Sequence, residues 1–285
     1  MKKMTVISGK GGTGKTTLTA SFAALAKKRA VLVDGDVDAA NLSLITGPTS
    51  TEEHEFKASK VAEIAPEKCD NCSLCLELCR FDAISEACVV DPVSCEGCGF
   101  CYHVCPQGAV EMNEKISGCW YISETPYGKL VHARLGVAEE NSGKLVTVIR
   151  NRGEELAAAG RKEYLIVDGP PGIGCPVIAS LSGVDAALIV TEPTVSGIHD
   201  LERILAVCRH FDVPAAVCIN RYDLAEEQSS LIETYCFREG IDLAGKISYN
   251  KIFVEAMILG LPVVEYDSSR VTDQIITVWN TFAGL

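Results

Sequence analysis

The chain has 285 residues, 47% of them apolar, and a formal net charge of −12. This much apolar side chain fills one or two cores, and the acidic balance disfavours the clustered Lys and Arg that sequence-independent nucleic-acid binding needs; no run approaches the roughly 18 uninterrupted apolar residues of a membrane span. Fourteen cysteines with no apolar signal region after Lys3 point away from a secreted disulfide scaffold and toward metal in a reducing cytosol, so a cytoplasmic protein is expected.

Met4 to Ser8 is a short β-branched apolar run that leads into Gly9-Lys10-Gly11-Gly12-Thr13-Gly14-Lys15-Thr16, a match to the G-x-x-x-x-G-K-[ST] phosphate loop. A Gly-rich turn can match that pattern too. Here Leu18, Phe22 and Leu25 follow at helical spacing, so the loop lies between a strand and a helix, as phosphate binding requires. Gly9, Gly11, Gly12 and Gly14 leave the backbone free to turn its N–H groups toward an anion at the helix N-terminus. Lys15 is expected on the β and γ phosphates and the Thr16 hydroxyl on Mg²⁺, with Thr13 and Thr17 completing an ATP/ADP site. With Lys10 in the first variable position, GKGGTGKTT resembles the deviant phosphate loop of the MinD, ParA and Mrp ATPases and of the nitrogenase iron protein. The resemblance implies that Lys10 crosses a dimer interface to the partner's nucleotide.

Ala30 to Val33 is a second strand, ending in Asp34-Gly35-Asp36-Val37-Asp38 and reaching Asn41. Carboxylates at a strand end beside a phosphate loop suit Mg²⁺ or an attacking water, although an Asp-capped polar turn has the same composition. By resemblance to the family's D-x-D-x-x-x-x-N switch, Asp36 orients the water and Asp34 lies nearer the metal. Asp38 has no assigned part. Thr46 to Lys60 is polar and turn-rich, without a regular pattern.

Cys69, Cys72, Cys75 and Cys79 form C-x2-C-x2-C-x3-C, and Cys95, Cys98, Cys101 and Cys105 repeat it 26 residues later, followed by Pro106. The repeat extends to Ala83-Ile84 and Ala109-Val110, which marks an internal duplication. This is the bacterial ferredoxin run, in which the fourth cysteine serves the other cluster. Cys69, Cys72, Cys75 and Cys105 are therefore expected to hold one 4Fe–4S cluster and Cys79, Cys95, Cys98 and Cys101 the second. Paired zinc sites are the competing reading, with a different usual spacing. Arg80 stands where the ferredoxin pattern has proline; Tyr102 and His103 read as surface or packing residues.

Beyond the cysteines, short strands are expected at 120–122, 130–133 and 145–149, with turns at Pro126-Tyr127-Gly128 and Asn141-Ser142-Gly143 and Cys119 buried. Tyr164 to Val167 ends in Asp168-Gly169-Pro170-Pro171-Gly172, where Asp168 would support the Mg²⁺ shell and the Gly172 N–H would sense the γ-phosphate. The family's D-x-P-P-G switch looks the same. A lone Cys175 follows, more often inert than a ligand. Ala186 to Val190 and Ala215 to Ile219 are further strands, and Asn220 at the end of the latter is, by resemblance, the adenine-reading residue. Cys208, Cys218 and Cys236 lie in apolar patterns. Ile247-Ser248-Tyr249-Asn250 resembles the family's I-P-Y-D loop with two positions changed. Val271, Ile275, Val278, Trp279 and Phe282 make a helix face suited to the core.

Strands alternating with amphipathic helices imply an α/β fold with a doubly wound, mainly parallel sheet. The chain resembles MinD-superfamily ATPases carrying an inserted ferredoxin module, with ATPase segments at 1–56 and 117–285 and the insert at 57–116. The resemblance implies a Mg-ATP-hydrolysing dimeric switch, as a homodimer or with a paralogue, whose two 4Fe–4S clusters exchange electrons with a redox or iron–sulfur partner. An iron–sulfur carrier of the Mrp type is the alternative, although the C-terminal C-x2-C of that branch is absent. A MinD- or ParA-like positional organiser is the third reading. No nucleic-acid partner is expected.

Overall fold

The computed structural model describes residues 1–136, 139 and 142–285. In chain order the elements are β1 (Lys2–Ser8), α1 (Lys15–Ala26), β2 (Ala30–Asp34), α2 (Leu42–Thr46), β3 (Ser50–Ile64), α3 (Leu74–Glu77), α4 (Phe100–Val104), β4 (Val110–Thr125), β5 (Gly128–Leu135) and α5 (Ser142–Ala159). They continue with β6 (Tyr164–Pro171), α6 (Cys175–Leu181), β7 (Ala186–Thr191), α7 (Val195–His210), β8 (Ala215–Asn220), α8 (Glu226–Glu239), β9 (Asp242–Ile247), α9 (Ile252–Ile258), α10 (Val263–Tyr266) and α11 (Arg270–Gly284). Two compact units result. One comprises Met1–His54, Trp120–Arg134 and Ser142–Leu285; the other comprises Glu55–Cys119 and a short stretch after Arg134.

The first unit is built on a sheet that runs β3-β4-β5-β2-β6-β1-β7-β8-β9. From β5 to β9 each neighbouring pair is parallel. Strands buried on both faces need no polar alternation, and β2 and β7 read as near-continuous apolar runs for that reason. Met4, Val6, Leu32, Ile166 and Leu188 turn to one face, where α1 and α11 cover them. Ile7, Ala187, Ile189 and Val217 turn to the other, under α6, α7 and α8. Phe22 of α1 meets Trp279 and Phe282 of α11 at ring-centroid distances of 5.4 and 6.1 Å, so the C-terminal helix is a core element. Burial pushes the thiols of Cys208 and Cys218 up to about 12 and that of Cys236 to about 11, which leaves all three as small apolar fillers.

Two segments differ from the sequence expectation. Residues 145–149 are the second turn of α5 and not a strand: Leu145, Val146, Ile149, Gly153 and Ala157 form one buried helical stripe. The β-branched residues Val146, Thr147, Val148 and Ile149 mimic a strand over five residues, and the helical period shows only when Gly153 and Ala157 are included. Gly153 is required there, because a Cβ would stand 2.5 Å from Val33 Cγ2 of β2. Within the turn expected at 141–143, Asn141 lies outside the described residues, and Ser142 and Gly143 open the helix. The second difference is β3, which occupies most of the segment read as turn-rich. Its polarity is that of a strand largely open to solvent, a class that propensity identifies poorly.

The second unit carries its duplication in the backbone as well as in the sequence. Asn71, Ser73 and Asp82 have φ of 58°, 60° and 50°, and 26 residues later Gly97, Gly99 and Gly108 have 63°, 73° and 60°. The second copy uses glycine where the first accepts the strain of a left-handed side chain. At Gly97 no side chain fits, since a Cβ would lie 2.2 Å from the Lys60 carbonyl. Ala83, Ile84, Ala109 and Val110, the paired positions of the repeat, are buried. Cys119, expected to be buried, is half-buried on β4.

Candidate functional site

The phosphate loop leaves β1, whose neighbours on either side are β6 and β7, the place where open α/β sheets form a ligand crevice. Gly12 and Gly14 have φ of 82° and 91°. A Cβ on Gly14 would stand 2.6 Å from Asn220 Nδ2, so the loop can close only on glycine. Lys15 is buried, and its Nζ donates to Ser8 Oγ at 2.8 Å while Ser8 Oγ donates to the Lys10 carbonyl at 2.5 Å. Ser8 thus holds the lysine in place. Burial lowers the Lys15 pKa, and Asp168, Asp36 and Asp34 oppose that shift.

Three carboxylates end the adjacent strands β2 and β6. Asp34 and Asp168, which pair in register, are both buried. Asp34 accepts from the Asp36 N–H at 3.2 Å and the Leu42 N–H at 2.9 Å, tying the strand end to the start of α2. Burial raises its pKa well above the carboxylate range, and Asp168 adds to the effect. Asp36 is half-buried, and its pKa is raised by burial against the pull of Lys15. Asp168 Oδ1 accepts from Thr19 Oγ1 at 3.0 Å, while its Oδ2, like Thr13 Oγ1, has no hydrogen-bond partner among the described residues. Buried polar atoms are seldom left so, and these two face a site built for phosphate and cation. The Thr16 hydroxyl and the Asp34, Asp36 and Asp168 carboxylates are oxygen donors of the kind Mg²⁺ takes, and since no three acidic side chains converge on one point among the described residues, the ion would meet them partly through its own waters.

A pH-dependent stability follows. Burial raises Asp168 to about 6, against the Thr16 hydroxyl, Lys15 and Thr19. A carboxyl raised on folding contributes stability that is fully present below its unfolded value and is lost as pH rises through about 6. Ligand-free Asp168→Asn should therefore melt above wild type at about pH 8 by an amount on the order of 2 kcal/mol, and the gain should shrink toward about pH 5. Calorimetry at the two pH values checks this, and Mg-ATP should stabilise only the wild type.

The remaining expected residues are placed as follows. The Gly172 N–H, with φ of 92° at that residue, donates to the Ser8 carbonyl at 2.9 Å, so it must leave Ser8 before it can meet a phosphate. Lys10 Nζ lies 3.9 Å from Glu192 Oε2, and Arg221 pairs with the other oxygen of the same carboxylate. Asn220 is buried, and its Nδ2 donates to the Thr13 carbonyl at 2.8 Å, which makes it a brace under the loop in addition to any contact with a base. Ser248 is held by Gln274 through its N–H and Oγ, each at 3.0 Å. Sequence reasoning missed Ser8, Thr19, Glu192 and Arg221. Ser8 and Thr19 sit one residue before and three after the loop motif, and position was their only signal.

The eight repeat cysteines fall into the two crossed sets. Cys69, Cys72, Cys75 and Cys105 line one enclosure, and Cys88, outside the repeat, lines it with them. Cys79, Cys95, Cys98 and Cys101 line a second cavity of about 550 Å³, with Cys75 and Arg80 also on its wall. Arg80 therefore places a cation beside the second thiol set. Asp70 accepts from the Cys72 N–H at 3.2 Å and from Gln107 Nε2 at 3.0 Å, joining the two halves of the duplication. The Ala109 N–H donates to Cys105 Sγ at 3.3 Å, a contact that stabilises charge on sulfur. Among the described residues no three His, Cys, Asp or Glu side chains converge closely enough to hold a single metal ion. Cys175 is exposed at the start of α6.

Residues 4–263 match the model of the CobQ/CobB/MinD/ParA nucleotide-binding domain. The chain belongs to this family. As a MinD/ParA-type ATPase it is similar to a Methanocaldococcus jannaschii protein of unassigned function, at 37% identity over 222 residues covering 77% of this chain and 78% of the relative. It is also similar to the iron–sulfur cluster carrier protein of Pyrococcus abyssi, at 25% identity across 93% of this chain and 79% of that protein. In fold it matches the Pyrococcus horikoshii septum site-determining protein MinD complexed with Mg-ADP, with TM-score 0.61 at 18% identity, covering 98% of this chain and 94% of that one. MinD of the Aquifex aeolicus MinC:MinD complex gives TM-score 0.62 at 21% identity, covering 100% and 96%. The mainly parallel MinD-like sheet thus agrees with the sequence expectation. No helix among the described residues is long and apolar enough to cross a membrane.

Proposed function

We propose that this MinD/ParA-type ATPase carries two 4Fe–4S clusters and couples its nucleotide state to electron transfer with a redox partner. The observation that carries the reading is the sorting of thiols: each cavity collects three cysteines of one run and the fourth of the other, the crossover that a pair of cubanes requires. Zinc would need four sulfurs about 2.3 Å from one point. Thiols spread around a cavity with no convergent trio suit the separate corners of a cubane better. Cys69, Cys72, Cys75 and Cys105 would hold one cluster and Cys79, Cys95, Cys98 and Cys101 the other, supplying one-electron chemistry when bound.

On the nucleotide side, Lys15 and the loop N–H groups bind and orient the phosphates, Asp36 holds the attacking water, and Lys10 completes the site of a partner copy. Thr16, Asp34, Asp36 and Asp168 would hold Mg²⁺, which neutralises phosphate charge. Coupling has a covalent route. Asp34 is bonded to the N-terminus of α2, and the chain passes from α2 into β3, which runs from the ATPase unit into the cysteine-bearing unit.

Carriage of a cluster to a client is the second reading, favoured by the likeness to the Pyrococcus carrier and by the exposure of Cys72 and Cys98. Iron and acid-labile sulfide on the anaerobically purified chain test the proposal. About eight of each per chain is expected, and a colourless protein containing zinc would overturn it.

A further inference from the structure

Cys88 is the one thiol at the first cavity that the duplication does not supply. The residues 26 positions away on either side are Ala62 and Glu114, so the second site has no counterpart to it. It is 8% exposed, and its backbone stands at φ 56°, a left-handed conformation that is costly for a non-glycine residue. A closed turn fixes it there. The Cys88 N–H donates to the Ser85 carbonyl at 2.9 Å, the Ser85 N–H to the Val89 carbonyl at 2.9 Å, and the Val89 N–H to Ser85 Oγ at 3.2 Å. Cys69, Cys72, Cys75 and Cys105 share the enclosure with it. Cys69 and Cys88 share a further property. Of the five thiols at the enclosure, these two also line an adjoining cavity of about 410 Å³, bounded by Pro66, Asn71 and Ala87.

We propose that Cys88 is a reserve ligand for the iron corner assigned to Cys69, so that this one corner passes between two thiolates; the proposal rests on the two-cluster reading above. In the exchange the Cys88 thiol loses its proton as a new Fe–S bond forms. The Fe–S bond of Cys69 breaks and that sulfur takes up the proton. No electron moves, so neither oxidant nor reductant is needed. Because both sulfurs border the adjoining cavity, the exchange opens one corner toward it while Cys72, Cys75 and Cys105 keep the other three. The first cluster thereby becomes the exchangeable one, and the second, where the additional thiol Cys75 already serves the first, the fixed one.

The test compares iron content, sulfide content and the EPR spectrum of the dithionite-reduced full-length chain across variants. Cys69→Ser should keep close to wild-type iron with a changed spectrum, and C69S/C88S should fall to about half. C105S should lose half its iron even with Cys88 present, since Cys105 does not border the adjoining cavity that Cys88 and Cys69 share. Loss of half the iron in C69S alone, or full iron in C69S/C88S, would overturn the proposal. Should C69S fail to fold, C88S decides the matter under a chelator. Half of the wild-type iron should leave several-fold faster than the rest, and in C88S that fast half should slow to the rate of the other; a fast half that persists in C88S would overturn the proposal. A wild-type chain without iron removes the underlying reading and this one with it.

Discussion

Asp36→Asn is expected to lower ATP turnover roughly 1,000-fold while nucleotide affinity changes by less than about threefold. Asp36 is the least enclosed carboxylate of the three on β2 and β6, so it is the one positioned to face a water. Asp34 is occupied by two backbone N–H groups and Asp168 by Thr19, which suits them to hold structure and cation. Asn keeps the size of Asp36 and loses the acceptor that takes the water's proton. Burial raises Asp36 above its ordinary range and Lys15 opposes that shift. Since the ionised form is the one that works, wild-type turnover should fall as pH drops through this raised value. The acid limb should be absent from the residual Asp36→Asn activity. Steady-state rates from about pH 5 to 8, with affinity from a fluorescent nucleotide, check both parts.

Lys10→Ala should cost a comparable factor for a different reason. In this structure Lys10 is on the surface, 3.9 Å from a Glu192 carboxylate that Arg221 also holds. At 3.9 Å, with Arg221 already on the same carboxylate, this ion pair is worth little, so the lysine can leave for a partner's phosphates without large loss. A cation brought to the transferring phosphoryl from a second chain is typically worth 10³ to 10⁵ in rate. Mixing separates this from a role within one chain. Lys10→Ala and Asp36→Asn chains are each inactive alone. Combined in equal amounts they should recover about a quarter of wild-type turnover, because half the dimers are mixed and each has one site with Asp36 in place and Lys10 from its neighbour. No recovery would place Lys10 in its own chain's site.

The sequence made the nucleotide site legible where local chemistry dictates structure. Gly14 has to be glycine because Asn220 occupies the space a Cβ would take, and the loop motif records such demands. The gathering of the repeat cysteines around two cavities was legible because the duplication repeats backbone as well as cysteines: left-handed positions recur at Asn71 and Gly97 and at Ser73 and Gly99. Residues whose part depends on distant neighbours were not legible. Ser8 matters because Lys15 folds back onto it, and Glu192 because Lys10 and Arg221 both reach it. Cys88 escaped notice because its position, outside the repeat, hides a thiol that the Ser85–Val89 turn brings back to the repeat cysteines. The strand expected at 145–149 failed by the same logic: packing against β2 set a helical period that a five-residue window cannot show.

The central claim is that one chain links a nucleotide switch to two iron–sulfur clusters, and a single measurement addresses it most directly. The anaerobic, dithionite-reduced protein is mixed in stopped flow with an oxidised ferredoxin or a viologen acceptor, in Mg-ATP and in Mg-ADP, and cluster reoxidation is followed by absorbance. The account predicts rates that differ several-fold between the two nucleotides, with the difference retained in Asp36→Asn, which binds both nucleotides and stays in the ATP state because it does not hydrolyse. Identical rates in Mg-ATP and Mg-ADP from a chain carrying its full iron would contradict it.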